Sequence, residues 1–390
     1  MIYLDNAATG FPKPQSVTEE MVRCMRQYCG NPGRGSHRLA MEAAERIFEC
    51  RVSLASFFGA ENPENVIFTP NATTALNLAI KGLLKDGDHV LISDMEHNAV
   101  LRPIHRLAKE GRITYDVFSS MATRSDATTE QICADLERLI KPHTRMLVCS
   151  HASNICSYHA PLRELGAFCK RRGLLFVVDA AQSAGHLPIN VREMQIDALC
   201  APGHKGLMGP QGSGFLILGE GLVADTLTEG GSGYHSLEAD MPTEAPERYE
   251  AGTLATPAIV GLLTGLEEVK RLGPSSILRH IEALNLRLQN QLLGMSGVTV
   301  YTPHHVGSVL LFNIDGMAAD PVGTELDRMG FCVRAGFHCA ALGHTTLGTP
   351  SGGAVRVSPG IFNTRSQIDA FANAVEMIAK KNKRLKTSPI

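Results

Sequence analysis

LLFVVDAAQS, residues 174–183, is an apolar, β-branched run that ends abruptly at Asp179. A short run without polar interruption suits a strand covered on both faces, as in a parallel sheet flanked by helices. Comparable strand-like runs occur at 66–69, 89–93, 145–150, 196–201 and 214–218, with helix-like stretches between them at about 71–85, 99–110, 127–140 and 161–172. This alternation predicts an α/β fold with a large, mostly parallel sheet whose ligands gather at the carboxyl ends of the strands. Asp179 then stands at the ligand-bearing edge.

Beyond residue 220 the pattern changes. A glycine-rich loop (Gly230, Gly231, Gly233) and a Pro- and Glu-containing stretch to Glu250 precede a long helical region over about 257–295. Strands near 297–301, 307–314 and 331–333 and a closing helix over about 365–385 predict a second, smaller α/β unit, with the boundary near 250. The basic tail Lys380, Lys381, Lys383, Arg384 and Lys386 reads as a solvated helix end that complements the helix dipole.

The chain has 390 residues, with 37 Lys and Arg against 39 Asp and Glu, so it carries no basic field for nucleic acid or an anionic membrane. Its apolar runs fall far short of the ~20 residues that span a bilayer. MIYLDNAATGFPKP at the N-terminus lacks the basic start and apolar block of a signal peptide. Ten scattered cysteines without a C-x-x-C pair suit a reducing cytoplasm, and the fifteen histidines form no metal-ligand spacing. The expectation is a cytoplasmic protein with no membrane, nucleic-acid or metal partner.

No G-x-x-x-x-G-K-[ST], H-E-x-x-H or G-x-S-x-G is present, and no G-x-G-x-x-G follows a strand, which removes the usual carriers of nucleotide hydrolysis, zincin, α/β-hydrolase and dinucleotide chemistry. Three strand-end segments remain: Asp179 with Gln182, the segment from Pro202 through His204 and Lys205, and Asn71-Ala72-Thr73 before a helix. A carboxylate, a lysine and a helix N-terminus on one edge suit a phosphorylated aromatic aldehyde. Asp179 would hold a ring nitrogen protonated, Lys205 would form the Schiff base, and Thr73 with the free N–H groups at Ala72 would cradle the phosphate. Pyridoxal 5'-phosphate is that group.

Nine motifs in order carry a resemblance. They are YLDNAATG (3–10), NPGRGSHR (31–38), NATTALN (71–77), EHNA (96–99), SNICSYHAP (153–161), VDAAQSAGH (178–186), GHKGLMGPQG (203–212), YEAGT (249–253) and RAGFHCA (334–340). Together the chain resembles the class V aminotransferase superfamily, and within it the cysteine desulfurases and selenocysteine lyases of the group II type. The resemblance implies the fold type I architecture of pyridoxal phosphate enzymes. Its large cofactor domain would span 13–250, and its small domain would combine 1–12 with 251–390. It also implies a homodimer, in which Thr253 reaches the neighbouring subunit's phosphate.

By resemblance, Gln182 and Asn154 lie near the ring's phenolic oxygen, with Asn154 also beside substrate. His97 stacks on the ring and moves protons, and His204 contacts the phosphate. Arg356 binds the substrate carboxylate, a structural ion pair being its plain alternative, while Arg334 assists the substrate or the cysteine loop. His37 and Asn31 would line the site. Cys339, in a glycine-containing loop beside His338 and Arg334, is the expected nucleophile. Gly343, Gly348, Gly352 and Gly353 suggest that this loop moves.

The expected reaction converts L-cysteine to L-alanine and leaves a persulfide on Cys339, which passes to a thiol or an acceptor protein. The alternatives are a selenocysteine lyase acting on L-selenocysteine, or a class V aminotransferase or C–S lyase that uses no protein thiol. A non-enzymatic sulfur carrier is disfavoured because Lys205 and Asp179 are both present. Two departures from the family pattern stand out. Pro202 replaces a phosphate-binding serine, for which Ser183 or Thr253 would compensate, and Phe337 replaces the first histidine of Arg-x-Gly-His-His-Cys-Ala.

Overall fold

The computed structural model describes residues 1–33 and 35–387, with side chains to Arg384. Arg34 of the 31–38 motif and the Lys386 side chain lie outside the described residues. The chain opens with strand β1 (Ile2–Tyr3) and helices α1 (Gln15–Gln27) and α2 (Arg38–Phe58). Strands and helices then alternate through β2 (Val66–Thr69), α3 (Ala72–Leu83), β3 (His89–Ser93), α4 (Asn98–Lys109), β4 (Thr114–Phe118), α5 (Thr129–Leu139), β5 (Thr144–Ser150), α6 (Leu162–Arg172), β6 (Leu175–Asp179), β7 (Ala198–Pro202) and β8 (Gly214–Leu218).

Strands β2 to β8 form one sheet, ordered β2-β8-β7-β6-β5-β3-β4, in which only β8 runs against its neighbours. Alternate residues of a strand face opposite sides. Leu147, Phe176, Val178 and Phe215 therefore join the core on one face, while Val148, Val177 and Leu216 pack into the other. Both faces are covered, which explains the unbroken apolar runs. Strand β4 was not expected from sequence because it is an edge strand: Thr114 and Val117 are exposed, and Asp116 pairs with Lys141 at 2.6 Å.

The expected long helical region is two helices, α7 (Thr256–Leu272) and α8 (Pro274–Leu293). Gly273, at φ +82°, breaks the helix, and Pro274 starts the next one where its missing N–H costs nothing. Helix α7 packs on α1 and α2 and sends Ile259, Leu262 and Leu266 into the large sheet's core. The chain continues with β9 (Val298–Val300), β10 (Leu310–Ile314), α9 (Ala319–Arg328), β11 (Phe331–Cys332), β12 (Arg334–Gly336), α10 (Ala341–Leu347), β13 (Ala354–Val357) and α11 (Arg365–Thr387). An antiparallel sheet, β12-β13-β10-β9, shares its own core of Leu288, Phe312, Val355 and Phe371 with Leu4 from the N-terminal segment. Strand β1 pairs in parallel with β11 in a separate two-stranded sheet, and Leu4 just beyond it joins the core of the antiparallel sheet. No described helix is long and apolar enough to cross a membrane.

A buried ion pair fastens the segment before α7 to the large unit. Arg51 of α2 grips Glu250 with both terminal nitrogens and also donates to the Val66 carbonyl, while the Phe68 N–H donates to Glu250 Oε1 at 2.6 Å. Burial raises the Glu250 carboxyl above its ordinary range despite Arg51, and removing its charge would strand a buried guanidinium. Glu250→Gln is expected to lower unfolding stability by about 3–5 kcal/mol in urea denaturation. A loss below about 1 kcal/mol would show that the pair does not fasten this segment.

Candidate active site

Strands β2, β3, β5, β6 and β7 point their carboxyl ends to one edge of the sheet. There Ala72, Thr73, His97, Asn154, Asp179, Gln182, His204 and Lys205 line a single cavity, together with Pro202. Of the residues expected to hold the cofactor, only Thr253 is elsewhere. It lines a different cavity with Asn31, Phe48, Gly231 and Tyr234. His37 is also away from Lys205, as the N-cap of α2, where Nδ1 accepts from the Ala40 N–H.

Asn71 caps α3 by accepting the Thr74 N–H at 2.9 Å, leaving the N–H groups of Ala72 and Thr73 directed at the cavity end of the helix. Among the described residues, neither N–H nor the Thr73 hydroxyl has a partner. Asp179 accepts the Ala181 N–H on Oδ1 at 2.8 Å, and Oδ2 has no partner. Lys205 Nζ also makes no hydrogen bond. A cradle of free donors at a helix N-terminus, a half-satisfied buried carboxylate and an unbonded amine fit an anionic, ring-nitrogen-bearing aldehyde. Their donor and acceptor types match pyridoxal phosphate.

Burial pushes the Lys205 amine down to about 8, aided by Arg356 and Arg334 and opposed by Asp179 and Asp5. Asp179 is raised by burial, against the Ala181 N–H and Lys205, which favour its charge. His97 is lowered to about 4 by burial, with Lys205, Arg356 and Arg102 adding to the effect. Its Nδ1 accepts the Ala99 N–H at 3.0 Å, so the neutral ring carries its proton on Nε2. His204, likewise lowered to about 4, bonds Thr9 through Nδ1.

The N-terminal segment closes the cavity. The Gln182 amide donates to the Ala7 carbonyl at 2.9 Å, the Gly10 N–H donates to the His204 carbonyl, and Lys13 Nζ donates to the same carbonyl at 2.6 Å. Asp5 then reaches Arg356 at 2.8 Å and Arg334 at 2.9 Å. Arg356 also donates to the Asn154 carbonyl at 3.0 Å, and its buried Nε has no partner. The ion-pair alternative for Arg356 is therefore realised, yet one carboxylate between two guanidinium groups leaves a net positive charge and unpaired N–H donors.

Cys339 is exposed and does not line the cavity, but its turn is tied to the cavity residue Asn154. The Asn154 amide donates to the His338 carbonyl at 2.7 Å, and the Asn98 N–H donates to the Cys339 carbonyl at 2.7 Å. Three of the glycines in this stretch have packing or backbone roles. An added Cβ at Gly343 would meet Ile155, Gly348 caps α10 at φ +63°, and Gly353 lies against the Gly336 backbone. Cys29 is exposed as well, so Cys339 is not the sole accessible thiol. Nor does Ser183 compensate for Pro202: it is fully buried, and its hydroxyl bonds the Ala180 carbonyl.

Four contributors escaped the sequence reading: Asp5, Glu96, Asn98 and His344. Asp5, Glu96 and Asn98 sit inside quoted motifs, which was their only signal. Glu96 is fully buried beside His97 and accepts from Ser93 and from both the N–H and hydroxyl of Ser150. Burial, with the Asp179 charge adding, raises its carboxyl to about 8. Near neutral pH it is therefore largely protonated, which keeps a second negative charge away from Asp179.

Comparison with known proteins follows the same line. The class-V aminotransferase family profile matches residues 2–371. A probable cysteine desulfurase of Methanothermobacter thermautotrophicus is 32% identical, over 97% of this chain and 94% of that one. The apo structure of a cysteine desulfurase from Thermococcus onnurineus NA1 superposes with a TM-score of 0.88 at 32% identity, covering 97% of this chain and 95% of the other. The Escherichia coli cysteine desulfurase CsdA, solved in an S-sulfonic acid form, gives 0.86 at 26% identity over 97% and 94%. Members of the matched family use pyridoxal phosphate, the group that the free donors and half-satisfied carboxylate of this cavity fit, and on these matches the chain belongs to the class-V aminotransferase family.

Proposed function

We propose that the protein is a pyridoxal phosphate-dependent cysteine desulfurase. One observation carries this reading. Asn154 lines the Lys205 cavity and also hydrogen-bonds the turn that bears the exposed Cys339, so a nucleophilic thiol is tethered to a carbonyl-binding lysine site.

The Ala72 and Thr73 N–H groups, with His204, would hold the cofactor phosphate, Asp179 Oδ2 would hold the ring-nitrogen proton, and Gln182 would meet the phenolic oxygen. When bound, the cofactor would draw electrons from the substrate α-carbon and so loosen the Cα–H bond and the adjacent Cβ–S bond. Arg356 and Arg334, only partly neutralised by Asp5, orient the substrate carboxylate through a guanidinium fork. Lys205 Nζ, held below the ordinary lysine range, takes and returns a proton at the α-carbon. His97 presents Nε2–H to the ring and the reacting centre.

The Cys339 thiolate attacks the substrate sulfur, forming the S–S bond as the C–S bond breaks, and the carbon fragment gains protons to become L-alanine. The balance is L-cysteine plus protein thiol to L-alanine plus protein persulfide. A thiol or acceptor protein then removes the outer sulfur. A cytoplasmic homodimer completes the proposal. Leu39, Met41 and Phe48 leave α2 with exposed apolar side chains, Phe48 in the cavity that Thr253 lines, and a second subunit would cover them and bring Thr253 to a cofactor. The division into units 13–250 and 1–12 with 251–390 is part of the same reading, with α7 riding on the large core.

Three outcomes test it. Cys339→Ala should retain cofactor binding but lose alanine formation from L-cysteine in the presence of a reductant. Undiminished sulfide release by the variant would favour a C–S lyase that does not need Cys339, and turnover of L-selenocysteine alone would favour a selenocysteine lyase. Arg356→Lys keeps the charge but loses the fork, so KM for L-cysteine should rise about tenfold. Only the unprotonated amine attacks a carbonyl, and burial disfavours the Lys205 cation. Pyridoxal phosphate uptake by apoprotein should therefore speed up through a midpoint near pH 8, whereas a midpoint at the ordinary lysine value of 10.5 would refute the environment described for Lys205.

A further inference from the structure

Behind the Cys339 turn lies a chain of side chains that the mechanism has not used. His338 Nε2 is 3.3 Å from the Arg334 carbonyl, His338 Nδ1 is 3.1 Å from His344 Nε2, and His344 Nδ1 is 2.8 Å from the Thr349 hydroxyl. His344 is buried in α10, and Phe337 packs edge-on against its ring at 5.4 Å. The residue that departs from the family pattern thus covers this chain.

The donors can be assigned from the fixed partners. A carbonyl only accepts, so His338 carries its proton on Nε2. The ring is held neutral, because burial and the neighbouring Arg356 and Arg334 push it down to about 3. Its Nδ1 therefore presents a lone pair, and His344 must donate from Nε2. His344 Nδ1 is then an acceptor, satisfied by the Thr349 hydroxyl, whose other acceptor, the His344 carbonyl, is more distant at 3.3 Å. Every group has one role, running from Thr349 through His344 and His338 to the Arg334 carbonyl.

The chain ends on a strained turn. His338 and Cys339 are consecutive non-glycine residues in the left-handed region, at φ +51° and +56°. Such conformations persist only where surrounding contacts over-determine them. Asn154 and Asn98 hold the two carbonyls, and the imidazole chain holds the His338 side chain. We propose that His344 is a positioning residue for the Cys339 thiol: through His338 it maintains the left-handed turn that bears the exposed thiol. This role rests on Cys339 being the sulfur acceptor.

The test uses cofactor-loaded His344→Leu, His344→Gln and Thr349→Val. Leucine fills space without hydrogen bonds, while glutamine offers one donor and one acceptor, as His344 does. His344→Leu should form alanine from L-cysteine about 10–100-fold more slowly in a single turnover, with KM changed less than about twofold and with wild-type cofactor absorbance. His344→Gln should recover most of the rate. Histidine nitrogen NMR of the wild type should show Nε2–H on both rings. Thr349→Val removes the donor to His344 Nδ1 and leaves that nitrogen unsatisfied, so it should slow alanine formation in the same direction, which keeps the test decisive if the leucine variant fails to fold. Wild-type rates in His344→Leu or Thr349→Val, no recovery in His344→Gln, or Nδ1–H on His344 in the wild type would each overturn the assignment. Cys339→Ala separates the two readings. If it is inactive while His344→Leu is normal, only the positioning role falls; if it retains full activity, the desulfurase reading itself fails.

Discussion

The carboxylate of Asp5 sits between the guanidinium groups of Arg356 and Arg334, and the candidate site is assembled around that clamp. One of the partners, Arg356, is almost wholly buried, so the pair cannot be judged as a surface salt bridge: without Asp5 a charged guanidinium would be left in a poorly solvated place. From Asp5 the connections run in two directions. Arg356 reaches the Asn154 carbonyl, whose side chain holds the Cys339 turn, while the following N-terminal residues reach Gln182 and His204 on the opposite wall of the cavity. The second sheet and the large sheet's ligand edge are thereby brought into one site, with one positive charge left over for an anionic substrate.

Below the clamp, the sheet edge sets proton affinities by burial more than by pairing. Lys205 is lowered, Asp179 is raised and His97 is lowered, in each case with desolvation as the largest cause. Proximity of Asp179 and Lys205 works against the first two shifts without cancelling them, while Lys205 adds to the lowering of His97. Glu96, under the same edge, is held largely neutral by burial and by the Asp179 charge, and it is anchored by the Ser93 and Ser150 hydroxyls. A buried edge of this kind keeps the amine available as a nucleophile near neutral pH and gives His97 a single tautomer.

The fold was legible wherever burial was two-sided. Residues 174–179 contain no polar side chain before Asp179 because both faces of β6 are covered, and the strands at 66–69, 89–93 and 214–218 were found at their observed limits for the same reason. Strand β4 escaped because it is an edge strand, with Thr114 and Val117 exposed and only Phe118 buried, so it carries no continuous apolar run. The helices α1 and α2 were not anticipated, and the division between α7 and α8 depends on Gly273 and Pro274, which a long apolar periodicity obscured. The roles of the loop glycines were not legible either: Gly343 and Gly353 are required by close approach to Ile155 and to the Gly336 backbone, contacts that composition does not report.

What the sequence by itself determined is the chemistry at each strand end. An acid after β6, a lysine after β7 and a capped helix after β2 are local facts, readable because strand periodicity places those residues at one edge and because a helix N-terminus leaves its N–H groups free. Only the tertiary structure decided what is long-range in the chain. It placed Asp5 against Arg334 and Arg356, tied Asn154 and Asn98 to the Cys339 turn, set Thr253 apart from the Lys205 cavity and aligned His344 behind His338. Periodicity reports how a residue sits in its own element. Which groups meet across hundreds of residues is settled by packing: the Asn154 and Asn98 contacts to the Cys339 turn depend on how the two sheets are docked.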